Sequence, residues 1–237
     1  MLAPLAAMLF LATLVASAQT SIANGAHLTI LPLGASIVWG YESSDNNGFR
    51  LKLRELLENN GNQVTYIGSQ HNGGMTNNAC EAYPGKTIEE VTASPLGTGV
   101  FDDNPNVVLI HLGTNNCVQN KATSDSANHY GDLLNDIKKH APNAVVVAST
   151  LIPNGNANIE SCIKDLNNRL SNVVANARSN GQKITLVDMH AVVPLSQLNA
   201  DKTHPTDTGY QMMAQSWYST LLGTSNMLEK KARHWVA

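Results

Sequence analysis

The amino-acid sequence predicts a three-layer α/β/α sandwich around a five-stranded parallel sheet. Five short apolar, β-branched runs alternate with amphipathic helical patterns along the chain, which is the order of elements in an α/β domain. Each run is hydrophobic at nearly every position, as strands buried on both faces of a parallel sheet are. The predicted strands span residues 28–33, 64–68, 107–112, 145–150 and 184–187.

Four helical patterns lie between and after these strands. Each places apolar residues three and four positions apart, so that one helix face is hydrophobic. The four faces consist of Phe49, Leu53, Leu56 and Leu57; Tyr130, Leu133, Leu134 and Ile137; Ile163, Leu166, Leu170, Val173 and Val174; and Met213, Trp217 and Leu221.

Glycine and proline mark the predicted helix ends. Gly61 and Gly181 stand where helix C-caps belong, and Pro205 suits the first turn of the last helix. Ligands of parallel sheets bind outside the carboxyl ends of the strands. The residues that follow each strand are therefore the candidates for function.

The first residues are expected to be a signal peptide. Residues 1–15 are almost all apolar or small, and Ala16-Ser17-Ala18 is a small-residue cleavage site. A membrane anchor is the alternative, but the run is shorter than the roughly 20 residues of a span and lacks a basic flank. We expect a secreted protein with a signal peptide over 1–18, one domain over 19–223 and a loose tail over 224–237.

Length and charge limit the classes of partner that we expect the chain to bind. The mature chain of about 220 residues is long enough to bury a sizeable core without staples. Its formal net charge is −3, and no run of like charges occurs. We expect no nucleic-acid partner and no membrane partner, and we expect a monomer.

Cysteine usage follows from the expected export. Disulfides persist outside the cell, and the chain has three cysteines, Cys80, Cys117 and Cys162, so at least one lacks an intramolecular partner. Cys117 and Cys162 follow the third and fourth predicted strands on loops that can meet, and we expect these two to pair. The alternative is three buried thiols. No zinc-ligand spacing is present.

A serine follows the first predicted strand, in Gly34-Ala35-Ser36-Ile37. On a tight strand-to-helix turn, Ser36 can present its hydroxyl as a nucleophile and its own N–H to a developing oxyanion. By itself the position fits a helix N-cap at least as well.

An acid–base pair is suggested near the C-terminus, in Asp201-Lys202-Thr203-His204-Pro205. An aspartate three residues before a histidine can reach the imidazole Nδ1, which leaves Nε2 free to take a proton. The alternative is a capped loop, with Asp201 or Thr203 as the cap and His204 on the surface.

Two further segments can supply oxyanion donors. Gly113-Thr114-Asn115-Asn116 follows the third strand, and a side-chain amide there can donate to an oxyanion. Gly85, in Tyr83-Pro84-Gly85-Lys86, is assigned to the loop after the second strand, where a glycine lets substrate approach a backbone N–H closely. Each segment alone is an ordinary turn sequence.

Taken together and in this order, the four segments resemble the blocks of the SGNH hydrolases, also called GDSL esterases. Leu33 to Ile37 is similar to the first block, Gly85 to the second-block glycine, Gly113 to Asn116 to the third block Gly-x-Asn-Asp, and Asp201 to His204 to the last block Asp-x-x-His.

Other segments resemble carbohydrate esterase family three, which includes acetylxylan esterases, and its secreted fungal members. The first set is Trp39-Gly40, Gly48-Phe49-Arg50, Ile67-Gly68-Ser69 and Glu81 to Gly85; the fungal set is Ser149 to Asn154 and Thr203 to Tyr210.

The resemblance implies a flavodoxin-like sheet and a serine esterase. It makes Ser36 the nucleophile, His204 the base and Asp201 its orienter, with Ser36 N–H, Gly85 N–H and the Asn115 side chain as the oxyanion hole. Two residues depart from the pattern: Ala35 replaces an Asp in the first block, and Asn116 replaces the Asp after the catalytic Asn.

The predicted reaction is acyl transfer in two steps, with no cofactor and no metal. The expected substrate is an acetyl ester on a cell-wall polysaccharide such as xylan. A general short-chain or lipase-like esterase is one alternative. A secreted carbohydrate-binding protein with a degenerate site, suggested by Ala35 and Asn116, is the other.

Overall fold

The computed structural model describes residues 21–228, apart from the side chains of residues 95–97, and within this range it contains seven strands and eight α-helices. The strands are β1 (His27–Gly34), β2 (Gln63–Tyr66), β3 (Gln70–His71), β4 (Ala79–Ala82), β5 (Val107–His111), β6 (Val145–Ser149) and β7 (Ile184–Val187). The helices are α1 (Ser36–Trp39), α2 (Phe49–Asn59), α3 (Ile88–Thr98), α4 (Thr114–Val118), α5 (Thr123–His140), α6 (Ala157–Ser179), α7 (Met189–Val192) and α8 (Asp207–Gly223).

The five predicted strands are confirmed as β1, β2, β5, β6 and β7. They are all parallel, and β1 lies between β2 and β5, with β6 and β7 following in turn. Counting only these five, the order is 2-1-3-4-5, which is the flavodoxin-like arrangement. The resemblance implied this sheet.

Two strands were not predicted. β3 and β4 form an antiparallel hairpin, and β4 also runs parallel to β1, beside Leu33 and Gly34. β2 occupies the same edge of β1 further toward its start. Gly85 therefore follows β4, and its assignment to the loop after the second predicted strand was wrong.

Alternate residues of the central strands face opposite sides of the sheet, which gives the domain two cores. In β5, Val107 and Leu109 join one hydrophobic cluster, whereas Val108 and Ile110 join the other. Helices α2 and α8 cover the first face, and α3, α5 and α6 cover the second. The predicted three-layer sandwich is thus confirmed.

The helix ends match the glycine predictions but not the proline prediction. Gly61 and Gly181 lie one residue beyond the C-caps, at φ values of 90° and 82°. Helix α8 begins two residues after Pro205, with the Thr206 side chain accepting from Gly209 N–H at 3.2 Å. Pro205 instead pairs with Leu198 in a short antiparallel bridge, which keeps this residue extended.

The expected disulfide is present. Cys117 in α4 and Cys162 in α6 are bonded, so the alternative of three thiols is wrong. The remaining cysteine, Cys80, is buried in β4. The bridge attaches the short helix after β5 to the long helix α6.

The structure describes the predicted N-terminal and C-terminal segments only in part. The expected signal peptide over 1–18 lies outside the described residues. Of the expected loose tail, residues 225–227 form a 3-10 turn and Leu228 is buried in the first cluster, so this part packs on the domain. Across residues 21–228, no helix has both the length and the apolarity needed to cross a bilayer.

Candidate active site

Ser36 is the first residue of α1, directly after β1. The first N–H groups of a helix have no acceptor within the helix, so the Ser36 N–H points outward unpaired by its own helix. Ala35, before it, is extended at φ −122° and ψ −141°, which turns the chain sharply from strand to helix. The hydroxyl and N–H of Ser36 are thereby presented at the carboxyl edge of the sheet.

The structure brings His204 to Ser36 from 168 residues away in sequence. His204 Nε2 lies 2.8 Å from Ser36 Oγ, and His204 Nδ1 is hydrogen-bonded to the Asp201 carboxylate. A carboxylate accepts only, so Nδ1 carries the proton and the Nε2 lone pair faces the serine hydroxyl. This is the arrangement in which a histidine can take a proton from a serine.

The Asp201 carboxylate is fixed by its own loop. Its Oδ1 accepts from the N–H groups of Thr203 and His204, both at 3.0 Å. Partial burial acts to raise the pKa of Asp201, but the hydrogen bonds from His204 and Thr203 outweigh it and the pKa is lowered. Asp201 is therefore ionised at neutral pH and orients the imidazole.

The loop after β6 is hydrogen-bonded to the loop that carries Asp201 and His204. Asn154 Nδ2 donates to Thr203 Oγ1 at 2.9 Å, and Gly155 N–H donates to Lys202 O at 2.9 Å. Asn154 N–H in turn donates to Glu160 at 2.8 Å. Sequence reasoning missed this support, because nothing in a lone Pro-Asn-Gly turn indicates which loop it will contact.

Gly85 occupies the third position of a tight turn. Lys86 N–H donates to Tyr83 O at 3.1 Å, with Pro84 second and Gly85 third at φ 81°. This is a type II turn, in which the third residue needs a positive φ. Tyr83 N–H donates to Gly34 O at 3.0 Å, which ties the turn to the end of β1 beside Ser36.

Asn115 lies in the first turn of α4 and reaches the same turn. Its Nδ2 donates to Lys86 O at 2.9 Å, which leaves the other amide hydrogen available. β5 leads into α4 and pairs with β1 up to Gly34 and His111. The three predicted oxyanion donors therefore come from loops gathered around the end of β1.

The two departures from the family pattern have separate structural accounts. Ala35 is buried among apolar side chains of the second cluster. Asn116 is also buried, and its Oδ1 accepts from Ile88 N–H at 2.9 Å while its Nδ2 donates to Glu89 at 2.9 Å and to Ser126 at 3.0 Å.

Glu89 explains the amide at position 116. An aspartate at position 116 would place a second carboxylate against that of Glu89, whereas Asn116 donates to it. Partial burial acts to raise the pKa of Glu89, but its hydrogen bonds, including that from Asn116, lower it overall. The carboxylate of this contact is therefore that of Glu89 on α3, and Asn116 on α4 is its neutral donor, a pairing that the sequence does not reveal.

A second serine–histidine pair lies inside the protein. His111 Nδ1 is 2.8 Å from Ser149 Oγ, and Ser149 Oγ also donates to Ile110 O at 3.0 Å. His111 is 2% exposed and its Nε2 has no hydrogen-bond partner. Burial lowers the pKa of His111 to about 4. Sequence reasoning did not single out this pair.

Over the range that the structure describes, no three His, Cys, Asp or Glu side chains are grouped closely enough to hold a metal ion.

Several solved structures share this fold. A family 3 carbohydrate esterase from Clostridium thermocellum is 22% identical with a TM-score of 0.76, covering 86% of this chain and 100% of that one. One from Talaromyces cellulolyticus is 19% identical with a TM-score of 0.74, over 85% and 100%. The acetylxylan esterase Axe2 from Geobacillus stearothermophilus is 15% identical with a TM-score of 0.64, over 83% and 95%.

Sequence comparison assigns the family. No curated protein matches the chain at a significant level. The sequence model of the GDSL-like Lipase/Acylhydrolase family, however, matches residues 33–212, a span that begins just before Ser36 and ends beyond His204. The chain belongs to the GDSL-like lipase/acylhydrolase family and is a carboxylic ester hydrolase of the SGNH type.

Proposed function

We propose that the chain is a secreted serine esterase that removes acetyl groups from a cell-wall polysaccharide such as xylan. The observation that carries the catalytic part is the continuous hydrogen-bonded chain from Asp201 through His204 to Ser36. The substrate part rests on the resemblance to carbohydrate esterases and on the names of the similar structures.

In the first half-reaction, Ser36 Oγ bonds to the ester carbonyl carbon while its proton passes to His204 Nε2. The negative charge on the carbonyl oxygen is received by Ser36 N–H, Gly85 N–H and Asn115 Nδ2. The carbon–oxygen bond to the alcohol then breaks, and His204 gives its proton to the departing oxygen.

In the second half-reaction, water attacks the acyl-enzyme and gives a proton to His204. The bond to Ser36 Oγ breaks, the acid leaves, and Ser36 regains its proton from His204. Water reaches this site easily, because Gly85, Lys86 and Asp201 are all exposed. Exposure on this scale also suits an ester on a large polymer better than a long acyl chain, which would need an apolar tunnel.

Secretion is proposed from the composition of residues 1–18 and from the disulfide, which persists in an oxidising compartment.

The test is acetate release from a panel of acetylated polysaccharides, run beside nitrophenyl esters of increasing acyl length. We expect acetylated xylan to be hydrolysed and acetyl esters to be preferred over longer acyl chains. The Ser36→Ala variant serves as the control for contaminating esterase. A clear preference for long acyl chains would instead indicate a lipase-like enzyme.

Labelling with a fluorophosphonate separates the esterase from a carbohydrate-binding protein with a degenerate site. We expect the folded protein to be labelled at Ser36, because His204 activates that hydroxyl. Absence of labelling, together with retained binding to xylan, would support the binding protein and overturn the proposed mechanism.

A further inference from the structure

Tyr41 is a large side chain left exposed beside the candidate base. Among the side chains that the structure describes, which exclude those of residues 95–97, the exposed large hydrophobic ones are Tyr41, Val118 and Leu195, and Tyr41 is 47% exposed. The centroid of its ring lies 4.8 Å from that of His204, with the two planes inclined at 55°. One part of the aromatic ring thus contacts His204 and the rest faces solvent.

The backbone of Tyr41 is held on both sides. Its N–H donates to Ser36 O at 3.0 Å, and its carbonyl accepts from the hydroxyl of the buried Tyr210 at 2.7 Å. Gly40 makes the turn at φ 90°, where a Cβ would lie 2.5 Å from Asn46 O. With its backbone held and its ring against His204, the side chain is positioned before any ligand arrives, so little ordering is needed on binding.

The chemistry of acyl transfer determines which part of the substrate Tyr41 meets. His204 Nε2 returns its proton to the oxygen of the departing alcohol, so the alcohol must lie on the His204 side of Ser36. The carbonyl oxygen of the ester lies on the other side, toward Gly85 and Asn115. Because Tyr41 contacts His204, its exposed face borders the alcohol part of the ester.

We propose that Tyr41 forms a stacking subsite for the sugar ring that carries the ester. A pyranose presents apolar C–H groups on its ring faces, and a tyrosine ring offers a flat, rigid surface of matching size with a polar edge. This proposal rests on the proposed function and adds to it a residue that selects cyclic sugar alcohols. On this proposal Tyr41 contacts the substrate and does not merely support the His204 ring.

The test compares two acetate esters that differ only in the alcohol. One is an acetylated xylo-oligosaccharide, and the other is ethyl acetate, which has no ring to stack; nitrophenyl acetate is avoided because its own ring can stack. We expect Tyr41→Ala to lower kcat/KM for the oligosaccharide about five- to tenfold, mainly through KM, and to leave ethyl acetate nearly unchanged. Tyr41→Phe should retain activity on both, because the ring face and not the hydroxyl makes the contact.

Leu195→Ala is the matched control, since it removes another exposed apolar side chain. Thermal unfolding of each variant verifies the fold. An equal loss on both esters would mean that Tyr41 supports His204 and would overturn the subsite, as would no loss on either. If the wild type hydrolyses ethyl acetate but no acetylated sugar, the proposed function is overturned, and the subsite with it. If the wild type hydrolyses the acetylated oligosaccharide and Tyr41→Ala does so equally well, the subsite alone is overturned.

Discussion

Ser36 and His204 are joined at 2.8 Å, and Ser149 and His111 are joined at the same distance. The first pair, called the surface pair below, is half-buried at the edge of the sheet and open to solvent, and His204 is hydrogen-bonded to a carboxylate. The second pair is buried, and no carboxylate is bonded to His111. Distance alone therefore does not distinguish a nucleophile–base pair from a structural one.

The direction of the hydrogen bonds makes the difference. Ser149 donates to Ile110 O, so His111 Nδ1 must carry the proton that Ser149 accepts. In the surface pair His204 Nδ1–H donates to the Asp201 carboxylate, and His204 Nε2 is left to accept from Ser36. The third partner thus sets the tautomer, and the tautomer decides whether the serine can lose its proton.

The largest expected effect contrasts the two serines directly. Ser36→Ala should reduce kcat by a factor on the order of 10⁴ to 10⁶, because the nucleophile is gone. Ser149→Ala should leave kcat almost unchanged but cost about 1–3 kcal/mol of unfolding free energy, since it strands the buried His111 Nδ1. Ester hydrolysis and urea unfolding of both variants measure this. Comparable activity losses in the two variants would contradict the assignment.

The second-largest expected effect concerns the carboxylate of Asp201, which has no counterpart beside the buried pair. Asp201→Asn should lower kcat by about 10⁴-fold, because an amide can donate to Nδ1 and so favour the tautomer that cannot accept from Ser36. The measurement is kcat for an acetate ester above pH 7, with Asp125→Asn on α5 as a control that removes an exposed carboxylate elsewhere. A loss of only a few-fold would show that orientation by Asp201 contributes little.

Asn115 sharpens the comparison because the proposed oxyanion donors lie only around the surface pair. Asn115→Ala should lower kcat by about 10² to 10³, the usual effect of losing one such donor. Asn128→Ala, an exposed asparagine of α5, is the matched control. If Asn115→Ala changed kcat by less than about threefold, the amide would have no place in the oxyanion hole.

The smallest effect concerns the buried histidine and stability instead of catalysis. Burial lowers the pKa of His111 from 6.5 to about 4, so the folded protein resists a proton that the unfolded chain accepts. Stability is therefore full above pH 6.5 and is lost as pH falls toward 4, by about 3 kcal/mol.

Urea unfolding across this pH range measures the loss. His111→Gln removes the titrating group while keeping a polar side chain beside Ser149, so its free energy of unfolding should fall less between pH 6.5 and 4 than that of the wild type. Identical pH dependence in the two proteins would show that His111 does not titrate as its burial implies.

Most of the layered architecture was predictable from sequence, because the parallel strands are buried on both faces and carry a continuous apolar signal. The hairpin was not: Ala79–Ala82 is a strand without a β-branched residue, held by pairing with the end of β1. Such a strand forms because it pairs with a neighbouring strand, and a short stretch of sequence does not show which strands will be neighbours.

Helix α3 was also missed, since Pro95 and Gly97 lie within it. One local signal was available: Thr87 and Glu90 have capping-box spacing, and Glu90 accepts from Thr87 N–H at 2.9 Å.

The candidate site could be proposed from the sequence only through the joint order of four short segments, those of Ser36, Gly85, Asn115 and His204, because each segment alone is weak evidence for a site. What the sequence could not indicate is which side chains from other elements would contact those residues. Tyr41 beside His204 depends on where the loop after α1 folds back. The hydrogen bond from Asn116 to Glu89 likewise depends on a contact between two helices that are separate in sequence.

The bond between Cys117 and Cys162 affects how the chain can be produced. A polypeptide that emerges N-terminus first presents Cys80 and Cys117 before Cys162, so the first two thiols available to an oxidant are a non-native pair. Once β4 packs beside β1, burial raises the pKa of the Cys80 thiol to about 11, and the thiolate needed for exchange becomes scarce. We therefore expect that early docking of that strand protects the chain from misoxidation, and that the yield of correctly bonded protein depends on the order of docking.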